Sequence, residues 1–378
     1  MVKFYAGLNH MDSQTEQQHL IAQRISYFRN LRNINQQDLS NMMAFNQRQT
    51  LSDIERGERQ VQADELVRFA EFLEIPAMAL LDAYEPALDV EFSWRTDNES
   101  AALADFEKRG SNILNLLITL RRKLNIAPVA ISSLPLGERN SYDDAQLAAE
   151  KFVEEYELGD RPGPVLHKLY EQLKIDCIYL DLPDHISGAA MASDEALLAV
   201  VNANQVRGRR NFDKAHELFH CLTWRTMKPS HIDRVQVNLG TKRSRIEQLA
   251  DAFAGALLMP KVPLLRSLPE SLTASALMQI ANDFEVSFDS IVWRLVSLDR
   301  ISKTEAKVFL KVERPPGNGH AANLVSHKLL SESYLKVLSS GITAGLISVR
   351  RVADIIGISI DALASTYRQH DLAVPFDL

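Results

Sequence analysis

Arg210-Asn211-Phe212-Asp213-Lys214-Ala215-His216-Glu217-Leu218-Phe219-His220 is the stretch on which the reading of the whole chain turns. It contains H-E-x-x-H. On a helix, residues four apart lie one turn above each other, so His216 and His220 share a face and can grip one metal ion. Glu217 sits about 100° round from His216, placed to reach a water beside the metal without ligating the metal. Asp213, just before the apolar positions Ala215, Leu218 and Phe219, reads as the N-cap, which puts both histidines in the first two turns. Upstream, residues 175–182 and 195–202 read as short strands joined by a connection containing Gly188. Strands leading into a metal-binding helix suit an α+β peptidase core.

A catalytic zinc takes three protein ligands and leaves one position for water. The stretch Arg245 to Met259, ending before Pro260, reads as a helix with Glu247 and Asp251 four apart on one face. Glu247 can ligate the metal while Asp251 accepts the free N–H of a ligating histidine and fixes its tautomer; both also read as solvated carboxylates on an amphipathic helix. The pattern H-E-x-x-H-x-x-G-x-x-H is excluded, because its glycine and third histidine fall on Thr223 and Thr226. His231 lies in an unconstrained loop, and Cys221 points away from His220 and reads as a small buried residue.

The two motifs, residues 210–220 and 247–260, resemble the ImmA/IrrE family of zinc metallopeptidases over roughly residues 140–300. The resemblance implies Zn2+ held by His216, His220 and Glu247, with Glu217 as general base and a repressor or similar partner protein as substrate. Phe219 stands where family members often carry Gly, a departure that touches no chemical group.

At 378 residues, with 46% hydrophobic content, the chain has room for two or three packed domains. Its two cysteines, Cys177 and Cys221, form neither a disulfide framework nor C-x-x-C, which fits a reducing cytoplasm. No apolar run approaches a membrane span and no leader is evident, so a cytoplasmic protein without membrane contact is expected. A net charge of −7 argues against a protein that coats nucleic acid, though not against a local reading surface. No glycine-rich phosphate loop appears.

Residues 1–17 read as polar and loosely ordered. From 18 to 85 the chain reads as four short helices: Ile21, Ile25, Phe28 and Leu31 recur at helical spacing, a second helix begins at Asn35, a third runs from Gln47 to Arg56 and stops at Gly57, and a fourth runs from Asp64 to Ile75. Leu51-Ser-Asp-Ile-Glu-Arg-Gly57 and Phe69 to Pro76 resemble the lambda-repressor-like (XRE-type) helix-turn-helix, whose third helix lies in the major groove. The matching positions are Arg48, Gln49, Thr50 and Ser52, types suited to base edges and phosphates. The usual glycine of the turn is replaced around Met43-Ala44-Phe45-Asn46, so the turn is expected to use Asn46 or one more residue. Acidic side chains outnumber basic ones in this segment, which weakens non-specific attraction to DNA.

Residues 86–140 read as a helical connector with an amphipathic helix from Ala101 to Asn125, and 141–300 as the peptidase domain, opened by a helix near Asp144–Tyr156. Helices near 272–284 and 288–301 are expected to pair around Leu277, Ile280, Ile291, Trp293 and Leu295. Pro315 to Gly319 reads as a hinge. The helical region 301–378 reads either as carrying a second helix-turn-helix or as a cap on the peptidase.

The fold expected is thus mainly α, α+β: an all-α helix-turn-helix domain, a zincin-like α+β peptidase domain with a small sheet, and a C-terminal helical region. The expected function is a DNA-binding, zinc-dependent endopeptidase that cleaves a repressor- or antitoxin-like protein. The alternative is a transcriptional regulator or antitoxin whose peptidase-like domain binds or senses without proteolysis. Expected partners are operator DNA, the protein substrate and a second copy of the chain.

Overall fold

The computed structural model describes residues 12–82, 90–96, 101–127, 133–233, 244–312 and 329–377, apart from the side chains of 12–16, 48, 101 and 102. The chain divides into two compact units, the first taking in the chain up to Asp89 with Phe106–Thr119 and Ile355–Gly357, the second the remainder.

Five helices open the first unit: α1 (Asp12–Leu31), α2 (Gln36–Met42), α3 (Arg48–Glu55), α4 (Ala63–Phe72) and α5 (Ala77–Leu81). Residues 1–11 lie outside the described ones, but the loose order expected to Gln17 gives way to helix from Asp12. Ile25, Phe28, Leu39, Met43, Leu51, Ile54, Phe69, Leu73 and Leu80 close one apolar core, which is why four of these helices were legible from spacing alone. Asn35 caps α2 by accepting from Asp38 N–H. The turn into α3 is built differently from expectation: Ala44, not Asn46, takes the left-handed conformation (φ +54°). The Phe45 N–H can then close on Ser40 C=O at 3.0 Å, the α-helix ending that glycine usually supplies.

In the second unit, β1 (Glu91–Thr96) precedes the long α6 (Ala101–Lys123), which runs through both units. Then come α7 (Tyr142–Glu155), α8 (Leu166–Leu173), β2 (Asp176–Leu180), β3 (Ile186–Ala192), β4 (Leu197–Asn202), α9 (Arg207–Thr223), β5 (Ile232–Asp233) and α10 (Arg245–Leu258). They are followed by α11 (Lys261–Ser267), α12 (Ala274–Asp283), α13 (Phe288–Ser297), α14 (Lys303–Leu310), α15 (Glu332–Thr343), α16 (Val349–Ile356) and α17 (Ile360–Gln369). The expected hinge at 315–319 lies outside the described residues.

The five strands form one sheet in the order β2-β4-β3-β1-β5. β4 is parallel to β2 and antiparallel to β3, β3 is antiparallel to β1, and β1 is parallel to the two-residue β5. Two sequence expectations change here. The connection containing Gly188 is itself the strand β3, poor in β-branched residues because its neighbours leave no space: a Cβ at Gly188 would stand 2.5 Å from Val200 O. The segment read as a helical connector also supplies β1, whose alternation Glu-Phe-Ser-Trp-Arg-Thr is that of a strand with different surroundings on its two faces.

α9 packs against β3 and β4, and α10 packs on α9 and α7, within a core that includes Leu218, Phe219, Leu222, Leu249, Phe253 and Leu257. α12 and α13 follow with Leu277, Ile280, Ile291 and Leu295 buried, but Trp293, expected inside, is 47% exposed.

Candidate metal centre

α9 starts at Arg207, two turns earlier than the sequence suggested. Asp213 is therefore not its N-cap. It lies mid-helix, fully buried, because its carboxylate is needed by two guanidinium groups: Arg95 on β1 donates to Oδ1 at 2.7 Å, and Arg209, one turn back, donates to Oδ2 at 3.1 Å. His216 and His220 fall in the later turns of α9 and project toward α10.

α10 answers them with its first turns. Ser244 caps it by accepting from Glu247 N–H, and Glu247 and Asp251, one turn apart, meet the same imidazole. His216 Nδ1 lies 3.0 Å from Asp251 Oδ1, and His216 Nε2 lies 2.9 Å from Glu247 Oε2. Glu247 Oε1 is 2.9 Å from His220 Nε2, and the two Nε2 atoms are 3.0 Å apart. His216, Glu217, His220 and Glu247 are all at most 2% exposed. Among the described residues, His216, His220 and Glu247 are the group of ligand types whose donor atoms all lie within 4.8 Å of one another.

The chemistry of this donor set fits a cation. With its Nδ1–H given to Asp251, a neutral His216 turns a lone pair toward a second imidazole nitrogen and a carboxylate oxygen. Two imidazole nitrogens and two carboxylate oxygens converging at such distances form a donor set that one positive charge between them satisfies together. Burial and Arg95 push the His216 imidazole down, but Glu247 and Asp251 outweigh them and hold it up at about 9, so here a proton supplies that charge. Burial lowers His220. Burial also works against Glu247 ionising, yet the two histidines outweigh it and hold its carboxyl far below the usual range.

Glu217 differs from Glu247 although both are buried carboxylates on the same site. Its Oε1 finds no hydrogen-bond partner, and burial pushes its carboxyl up to about 8 against the pull of His216 and Arg95. A carboxylate that is buried, unpaired and beside a cation site has the properties of a proton acceptor held in reserve.

Of the sequence candidates, the structure brings together His216, His220, Glu247, Asp251 and Glu217. His231 is exposed, and its backbone carbonyl pairs with Trp94 N–H; Cys221 is a buried thiol in the core. Sequence reasoning missed Arg95, which also reaches Asp251 Oδ1 at 3.4 Å; the alternation of residues 91–96 was the available signal. On α3, Gln49 Nε2 donates to Asp53 Oδ1 at 2.7 Å, Thr50 and Ser52 are half-buried, and the side chain of Arg48 lies outside the described ones. Among the described residues no helix is long and apolar enough to cross a membrane.

Residues 170–296 match the family model of the IrrE N-terminal-like domain, peptidase M78, and residues 25–80 match a helix-turn-helix family model. A comparison with curated proteins finds no match. Helices α2–α4, the end of α1 and most of α5 thus fall inside the first matched segment and the α9–α10 site inside the second, so the chain joins a segment that matches a helix-turn-helix domain to one that matches the IrrE N-terminal-like, peptidase M78 domain.

Proposed function

We propose that this chain is a DNA-binding regulatory zinc endopeptidase whose substrate is a repressor- or antitoxin-like protein. The observation that carries the reading is the convergence of His216, His220 and Glu247 next to a buried, unpartnered Glu217. These three residues would hold Zn2+, with Asp251 fixing the tautomer of His216. Bound there, zinc supplies Lewis acidity, bringing a water near a pKa of roughly 7 and polarising a peptide carbonyl. Glu217, acidified by the dication, takes the proton of the attacking water and delivers it to the leaving amine. The α3 positions Arg48, Gln49, Thr50 and Ser52 would read operator bases, bringing the peptidase to a chosen place.

A second reading has an observation in its favour: the four site residues are closed off from solvent, as suits a domain that senses or binds without cutting. Comparing protein N-termini by mass spectrometry in cells carrying the wild type or Glu217→Gln decides between them. New termini seen only with the wild type identify a protease and its substrate. Identical termini under every stress, with regulation of DNA targets intact in the variant, establish the sensing reading.

A further inference from the structure

The peptidase reading requires an extended polypeptide to come alongside Glu217, yet the site is closed. The strand that runs beside Glu217 is β3, since a Cβ at Gly188 would lie 3.5 Å from Glu217 Oε1. One side of β3 is taken by β4. The other is taken by β1, which comes from far upstream, outside the segment 170–296 that matches the peptidase domain. Building on that reading, we propose that β1 is a built-in substrate mimic: it occupies the strand position on β3 that a substrate polypeptide takes, and the site works only when β1 gives that position up.

The register supports this residue by residue. β1 runs antiparallel to β3, with Glu91, Ser93 and Arg95 opposite Ala192, Ala190 and Gly188. Side chains alternate along a strand, so these three share the face toward the ligand helices. Arg95 extends from the position opposite Gly188 to Asp213 on α9 and Asp251 on α10, bridging the two helices that carry the ligands. At the other end, Glu91 accepts from Trp224 Nε1 at 3.0 Å and pairs with Lys228. The pocket so described takes an extended segment with an arginine, and an acidic residue four positions before it. Adding a strand to a sheet edge draws affinity from backbone hydrogen bonds and specificity from alternate side chains, which is what β1 does within its own chain.

The test uses the zinc-loaded full chain and a fluorescently labelled peptide with the sequence of residues 90–97. Trp94 N–H donates to His231 O, just before β5, at 2.8 Å, so the N–H groups of Ser93 and Arg95 face β3. Ser93→Pro removes one of them and loosens β1. Arg95→Ala loosens it through the side chain, in case the proline variant does not fold. Phe92 and Met191 face each other on the side away from the ligands, and Phe92→Cys with Met191→Cys locks β1 by a disulfide that reductant reverses. The peptide should bind the loosened chains at least about tenfold more tightly than the wild type and fail to bind the locked chain until it is reduced. Zinc release to a chelator should follow the same order, and a peptide with glutamate in place of its arginine should not bind.

Equal peptide binding and equal zinc release in loosened, wild-type and verified locked chains would overturn the proposal, as would binding indifferent to the arginine. Failure of the peptidase reading looks different: the peptide would bind as described, while cellular N-termini remained identical with and without Glu217.

Discussion

Glu217→Gln should flatten the pH dependence of stability in the metal-free protein. In the folded chain, burial holds this carboxyl at about 8, against 4.5 for an ordinary glutamate. The folded state therefore binds the Glu217 proton more tightly than the unfolded state does. That contribution to stability is fully present below pH 4.5 and is lost as the pH rises toward 8. Between those limits one proton separates the two states, giving a loss of about 1.4 kcal/mol per pH unit and about 5 kcal/mol across the window. Gln carries no titrating proton and shows none of this. His216, held at about 9, contributes a loss of the same sign above pH 6.5, but it does so in both proteins and largely cancels in the comparison. The assay is urea unfolding at pH 5, 6 and 7 with chelator present, followed by far-UV circular dichroism. The wild type should lose roughly 3 kcal/mol relative to the variant between pH 5 and 7. Curves separated by a constant offset over that range would refute the claim that Glu217 is protonated and buried in the resting site.

Zinc binding at pH 7 should expel about two protons, one from His216 and one from Glu217, because both are held protonated above neutrality without metal. Calorimetry in buffers of different ionisation enthalpy counts them; Glu217→Gln should release one fewer, and an unchanged count would contradict the assignment. Asp251→Asn, which weakens the acceptor on His216 Nδ1 at 3.0 Å, should loosen zinc by about 10- to 100-fold, read by competition with a chelating dye; unchanged affinity would remove Asp251 from the site. Ala44→Gly should stabilise the N-terminal unit by about 0.5–1 kcal/mol, since Ala44 holds a left-handed φ of +54° that glycine adopts without steric cost. A lower denaturation midpoint for that variant would show that the turn is not strained.

The residues of the candidate metal centre were legible because helical spacing is local: His216 and His220 are one turn apart, as are Glu247 and Asp251, and each pair can be read without knowing the other. Their meeting is not local, and only the resemblance to known motifs joined them before the structure did. Asp213 was misread for a related reason. An aspartate ahead of an apolar run is a good cap, but here it is buried by Arg95, more than a hundred residues away in the sequence, and no pattern in residues 207–223 announces that partner. β3 escaped notice because its small residues reflect the crowding of Val200 and Glu217 against Gly188, a property of neighbours rather than of the strand. Trp293 failed in the opposite direction, since helical spacing identifies a face and does not say which aromatic at its margin stays in water.

Asp176, at the start of β2, collects the C-terminal part of the chain. Its buried carboxylate accepts from Arg121 on α6 at 2.9 Å and from the hydroxyls of Ser331 and Ser333 at 2.6 and 2.7 Å, while Tyr179 N–H on the same strand donates to Leu329 O. The segment that matches the IrrE N-terminal-like domain is therefore not a portable module. Cutting the gene to residues 170–296 would leave a buried anion without its three donors and β2 without its outer partner. A fragment ending near 312, even with α6 kept, would still lack Ser331, Ser333 and Leu329. Dissection of this protein, whether for crystallisation, for fusion to another domain or for tracing how the two domains came to share a chain, has to carry α6 and residues 329–377 along with α9 and α10.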